Sequence, residues 1–163
     1  MKKSAFLIAA AVIATVLAGA ARASDYINPR AGIKLFLPSC WHLTSELPSE
    51  IFFSCTGDED LGAAVEIIKD AKLGDRSVIE RIDLSNRVVT SDHTAARGGL
   101  RARRIDGKAR SEGADLVFYS IALDPGGSRP VIQLAIWDTP DHARRPATHR
   151  DIERMLASFA PVH

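Results

Sequence analysis

Apolar and polar positions alternate with a period of two at several places along the chain, and with a helical period at its end. In "GIKLFLPSCWHL" the apolar residues Ile33, Leu35 and Leu37 recur at every second position, the pattern of a half-buried strand, which Pro38 then bends. "IFFSC", residues 51–55, reads as a second short strand, with "TSELPSE" as the connection between the two. A third strand runs through Val65, Ile67 and Ile68, after a turn at "TGDED". Ser77-Val78-Ile79-Glu80 has the form of a capping box and predicts a helix with Val78, Ile79 and Ile82 on one face, ending near Asn86. After "VVT" and the polar "TSDHTA", read as a loop, strands follow in "GGLRARRI", "ADLVFYSIAL" and "RPVIQLAIW". Asp106-Gly107 and "DPGGS" separate them as turn signals, so this half is expected to be an antiparallel meander. "THRDIERMLASFAP" spaces Ile152, Met155, Leu156 and Phe159 at i, i+3, i+4 and i+7, a helix with Thr148 as N-cap, Asp151 three residues later and Pro161 as its stop.

This order of elements packs most simply as an α+β fold, a sheet with its helices covering it. The first residues change the picture of where such a domain works. Lys2 and Lys3 precede an apolar run from Ala5 to Ala21 and the tripeptide Ala21-Arg22-Ala23, which together read as a secretory signal peptide over residues 1–23. A retained anchor is the rival, since the run approaches the roughly 18 residues that span a bilayer. The lipid-accepting cysteine of a lipoprotein signal is missing, because position 20 is alanine. Removal of 23 residues from 163 leaves 140, one domain over residues 24–163. Three basic residues leave with the leader and all 20 acidic ones stay, so the formal charge moves from +1 to −2. That near-neutral balance argues against general binding to nucleic acid or to an anionic membrane, and the expected location is periplasmic or secreted, without stable membrane insertion.

An exported chain with two cysteines sits where disulfides persist, so Cys40 and Cys55 are expected to pair. A redox pair usually shows a tighter C-x-x-C spacing, and a metal site needs more ligands than two cysteines and His42.

On several short stretches the sequence resembles the PsbP-like superfamily. "GIKLFLPSCWHL" is similar to the strand that opens that domain, through Gly32, Ile33, Pro38 and Trp41. "GGLRARRI" is similar to its central Gly-Gly strand through Gly98 and Gly99, and "IERMLASF" to its closing helix through Ser158-Phe159. The resemblance implies an α/β/α sandwich with a central, mainly antiparallel sheet flanked by helices. It also implies a module that binds other proteins and has no common active site; photosynthetic extrinsic subunits, Mog-type nuclear transport factors and DcrB-like envelope proteins belong there. The Cys40–Cys55 pair departs from that pattern.

No residue pattern announces chemistry. There is no G-x-S-x-G and no free thiol once the cysteines pair, and the adjacent Ser91, Asp92 and His93 do not make a triad, whose members must come from different parts of a fold. His42, His93, His142, His149 and His163 are scattered, and Asp58, Glu59 and Asp60 read as a solvated acidic turn, so no catalytic residue, metal or cofactor is expected. The unusual local feature is a basic run: Arg97, Arg101, Arg103, Arg104, Lys108 and Arg110 against Asp106 alone. In a strand it would expose a cationic stripe fit for an acidic partner or a phosphate-bearing ligand. The plainer reading is an edge strand whose charges discourage strand addition. Trp41 and Trp137 are either partner anchors or core. Three functions are open on these grounds: a non-catalytic module for another envelope protein, an inhibitor or immunity protein for an envelope toxin or hydrolase, and an enzyme with an unrecognised site.

Overall fold

The computed structural model describes residues 22–82 and 84–162. Residues 1–21, most of the expected leader, lie outside them. Among these residues ten strands and three helices follow in chain order. They are β1 (Ser24–Asn28), β2 (Ile33–Leu37), β3 (Trp41–Leu47), β4 (Glu50–Cys55), β5 (Asp58–Ile68), α1 (Ser77–Glu80), β6 (Ser85–Arg97), β7 (Leu100–Ser111), β8 (Ala114–Asp124), β9 (Val131–Asp138), α2 (Pro140–Ala143), α3 (Pro146–Ser158) and β10 (Ala160–Pro161). A seven-stranded sheet has the order β3-β4-β5-β9-β8-β7-β6, and a small sheet has the order β1-β2-β10. Every pairing is antiparallel.

The large sheet is buried on both faces, which is why its central strands β5, β8 and β9 read as nearly continuous apolar runs. On one face Ile51, Phe53, Val65, Leu134 and Ile136 meet Ile33, Leu35 and Leu37 of the small sheet and Ile152, Met155, Leu156 and Phe159 at the end of the chain. The α3 helix extends the edge of β2: the Phe36 amide donates to Ser158 Oγ at 2.8 Å, beside the pairing of β2 with β10. On the other face Ile68, Phe118, Val131 and Ile105 are covered by Leu73, Val78 and Ile82. Among the described residues, only the single turn of α1 and the segment around it lie there. The expected α/β/α sandwich is therefore corrected to a more β-rich fold, in which a small sheet with α2 and α3 forms one outer layer and a mainly irregular segment the other.

Several local expectations change for physical reasons. "TSELPSE" is largely strand: β3 is an edge strand exposed beyond Trp41, so it carries no alternation to read, and it pairs with β4. Cys40 precedes β3, and its disulfide to Cys55 spans alpha carbons 4.7 Å apart. Asp58–Asp60 open β5 instead of forming a turn. Ser77 makes no capping hydrogen bond and α1 ends after four residues, while Thr148 lies inside α3, which begins at Pro146. "TSDHTA" belongs to β6, a second exposed edge strand.

Asp106-Gly107 lies inside β7, and the chain turns later, at Glu112-Gly113, where φ is 49° and 87°. Gly107 serves a close approach: a β-carbon there would fall 2.5 Å from Val88 O and nearer still to the Phe118 ring. Gly98 and Gly99, with φ of 55° and 81°, make the tight turn between β6 and β7.

Candidate functional site

The basic run is mostly consumed by the fold, which corrects the expected cationic stripe. Residues 101 and 103 point to one face of β7 and residues 102 and 104 to the other, as the strand alternation requires. Arg103 is buried. Its Nε and Nη2 hold Asp92 Oδ1 and Oδ2 at 2.9 and 2.8 Å, and its Nη1 donates to Leu73 O and Asp75 O at 2.9 and 3.0 Å. One guanidinium thus ties the covering segment to the sheet. Arg104 pairs with Asp106 and with Glu153 of α3, and lies over the Tyr119 ring. Arg97 donates to Leu156 O and Ala157 O, the open carbonyls at the end of α3. Burial and the nearby Arg104 charge lower its pKa. Arg110 makes an exposed pair with Asp115 at 3.6 Å. Arg101 and Lys108 are exposed, and they lie on opposite faces of β7. Trp41 is core, and Trp137 is partly buried, its indole over Gly62, where a β-carbon would fall 2.6 Å from the ring.

The expectation that the histidines and acidic residues stay scattered is corrected at one place. Asp58 at the start of β5, Asp138 at the end of β9 and His142 in α2 converge, their nearest ligand-type atoms all within 4.8 Å of one another. His142 Nδ1 lies 2.7 Å from Asp138 Oδ2 and 2.8 Å from Asp58 Oδ2. The sheet aligns the strand ends, and Pro140 starts α2 so that His142 falls one turn beyond Asp138. Asp138 is fully buried, and burial raises the pKa of its carboxyl against the opposing pull of His142. The remaining atoms are held as well: Asp138 Oδ1 accepts the Thr139 amide at 2.8 Å, Asp58 Oδ1 accepts the Asp60 amide at 3.2 Å, and His142 Nε2 is 3.3 Å from Thr148 Oγ1. The i, i+4 spacing of Asp138 and His142 is the trace of this cluster in the sequence; Asp58, far away along the chain, leaves none.

Thr148, His142 and Asp138 follow the order of nucleophile, base and orienting acid. The adjoining cavity, lined by Cys40, Trp41, Cys55, Leu61, Thr148 and Asp151, measures only about 130 Å³. Substrate pockets usually exceed roughly 300 Å³. Asp58 also competes for the nitrogen that a triad would give to one acid.

No protein-family model matches the chain, and no curated protein sequence matches it. Solved structures do. Cyanobacterial PsbP (CyanoP) from Synechocystis sp. PCC 6803 superposes with a TM-score of 0.64 at 11% identity, over 88% of this chain and 95% of that one. LpqN of Mycobacterium tuberculosis, described as involved in cell envelope biogenesis, gives 0.61 at 15% identity, over 87% and 91%. The Saccharomyces cerevisiae Ran-binding protein Mog1p gives 0.55 at 10% identity, over 86% and 96%. The sheet order, the helix beside β2 and the paired cysteines define a small, disulfide-bonded β-rich domain. Its fold is the one seen in CyanoP, LpqN and Mog1p.

Proposed function

We propose that this chain is an exported, non-catalytic accessory module that holds another envelope protein. The likeness that spans nearly the whole of this chain and of LpqN and Mog1p carries the reading, because those two proteins are described by an envelope process and by a bound partner rather than by a reaction. Export is supported by the Cys40–Cys55 bond, which persists in oxidising compartments, and by β1 beginning at Ser24, directly after the expected cleavage site. Among the described residues no helix is long and apolar enough to cross a membrane.

The test is capture from an osmotic-shock extract. The bait is the wild-type protein beside a variant with the exposed Arg101, Lys108 and Arg110 changed to glutamate, leaving Arg97, Arg103 and Arg104 in place for the fold. A stoichiometric partner retained by the wild type is the expected result, and its loss from the variant places the contact on β7. Absence of any such partner, with the bait shown folded and oxidised, overturns the reading.

A further inference from the structure

We propose that Asp58, Asp138 and His142 form a binding site for one divalent transition-metal ion of the zinc(II) type. The three residues come from β5, β9 and α2, and each presents one atom to a common centre: Asp58 Oδ2, Asp138 Oδ2 and His142 Nδ1. One imidazole nitrogen carries at most one hydrogen and cannot direct it at two carboxylate oxygens, 2.7 and 2.8 Å away, at once. That hydrogen serves the buried Asp138 Oδ2, so Asp58 Oδ2 faces the same nitrogen with no hydrogen left for it. A cation at the shared centre satisfies both.

The surroundings match what such an ion requires. Metal-bound histidines hand their second nitrogen to a fixed partner, and bound carboxylates are themselves hydrogen-bonded. Thr148 Oγ1 meets His142 Nε2, the Thr139 amide meets Asp138 Oδ1, and the Asp60 amide meets Asp58 Oδ1, so the atoms left over are the three that converge. One nitrogen and two carboxylate oxygens suit zinc, cobalt or nickel; calcium and magnesium prefer shells of oxygen alone. Metal–ligand bonds of about 2.0–2.2 Å require His142 Nδ1 to draw back from the two oxygens by about half an ångström, a shift that the half-buried Asp58 and His142 side chains can share. The small cavity beside Thr148 and Asp151 leaves room for water to complete the shell. Bound there, the ion would fasten α2 and the start of α3 to the sheet next to the Cys40–Cys55 bond, independently of any partner on β7.

The test is titration of zinc(II), and of cobalt(II) for its visible spectrum, into the untagged, disulfide-bonded protein stripped of metal. Asp58→Asn and His142→Gln serve as variants, both placed at the rim so that folding, checked by circular dichroism, is retained. Saturable binding of one equivalent is expected, with ligand-field bands of a nitrogen and oxygen site for cobalt and affinity lowered in each variant by at least the roughly 100-fold that loss of a ligand's hydrogen-bond partner can cost. No saturable binding in the wild type overturns the proposal. So does binding that both folded variants retain, which would put the ion on another histidine. Should one variant fail to fold, the other decides by the same criterion.

Discussion

Arg103 and Asp92 face one another across β7 and β6 as a two-pronged pair, with both guanidinium-to-carboxylate bonds at or below 2.9 Å and the remaining Arg103 nitrogen committed to the carbonyls of Leu73 and Asp75. Removing the guanidinium leaves two carbonyls without their donor and frees Asp92 to water. Arg103→Ala is expected to cost about 2 kcal/mol of folding stability, measured by urea unfolding. Arg103→Lys should recover only part of this, since an ammonium cannot hold both oxygens and both carbonyls.

The same pair sets an acid limit. Hydrogen bonding to Arg103 lowers the Asp92 pKa below the ordinary aspartate value. An aspartate with a depressed folded-state value contributes stability that is fully present above its unfolded value, near 3.9, and is lost as pH falls through the folded value. Asp92→Asn should therefore be less stable than wild type at pH 7, with the gap closing below about pH 4; a gap that stays constant down to pH 2 would contradict this origin.

Gly107→Ala is expected to destabilise by about 1–3 kcal/mol, because Val88 O is backbone and Phe118 is fully buried, so neither can move aside cheaply. Were Gly107 a turn glycine, asparagine would be tolerated there; Gly107→Asn should instead be at least as damaging as alanine. Unfolding midpoints of the two variants decide.

Arg97→Ala uncovers the last carbonyls of α3 and should cost about 1–2 kcal/mol, with faster amide exchange in residues 155–160. Arg101→Ala, exposed on the same strand pair, should lie within about 0.5 kcal/mol of wild type.

Reduction, or Cys40→Ala with Cys55→Ala, should lower stability by about 3 kcal/mol, the loop-closure value for cysteines 15 positions apart. Equilibrium unfolding with and without reductant reads it directly.

What the sequence determined by itself were features whose signal and consequence lie within a few residues of each other. The half-buried strand at Ile33–Leu37, the meander with its turn at "DPGGS" and the buried stripe of α3 are periodicities of one element against one core, and they emerge as read. The cysteine pair was equally legible, because two cysteines allow only one intramolecular partner each. The tertiary structure alone decided everything that depends on which strands become neighbours. Edge strands β3 and β6 have no buried alternation, so they looked like loop. Gly107 had the look of a turn because the demand for it comes from Phe118 across the ladder and from Val88 on the other side. Strand alternation put Arg103 and Arg104 on opposite faces, but only the packing of other elements brought an acid to each and ended the apparent stripe. Asp58, Asp138 and His142 meet because β5 and β9 are adjacent and in register, a long-range pairing that no local pattern encodes.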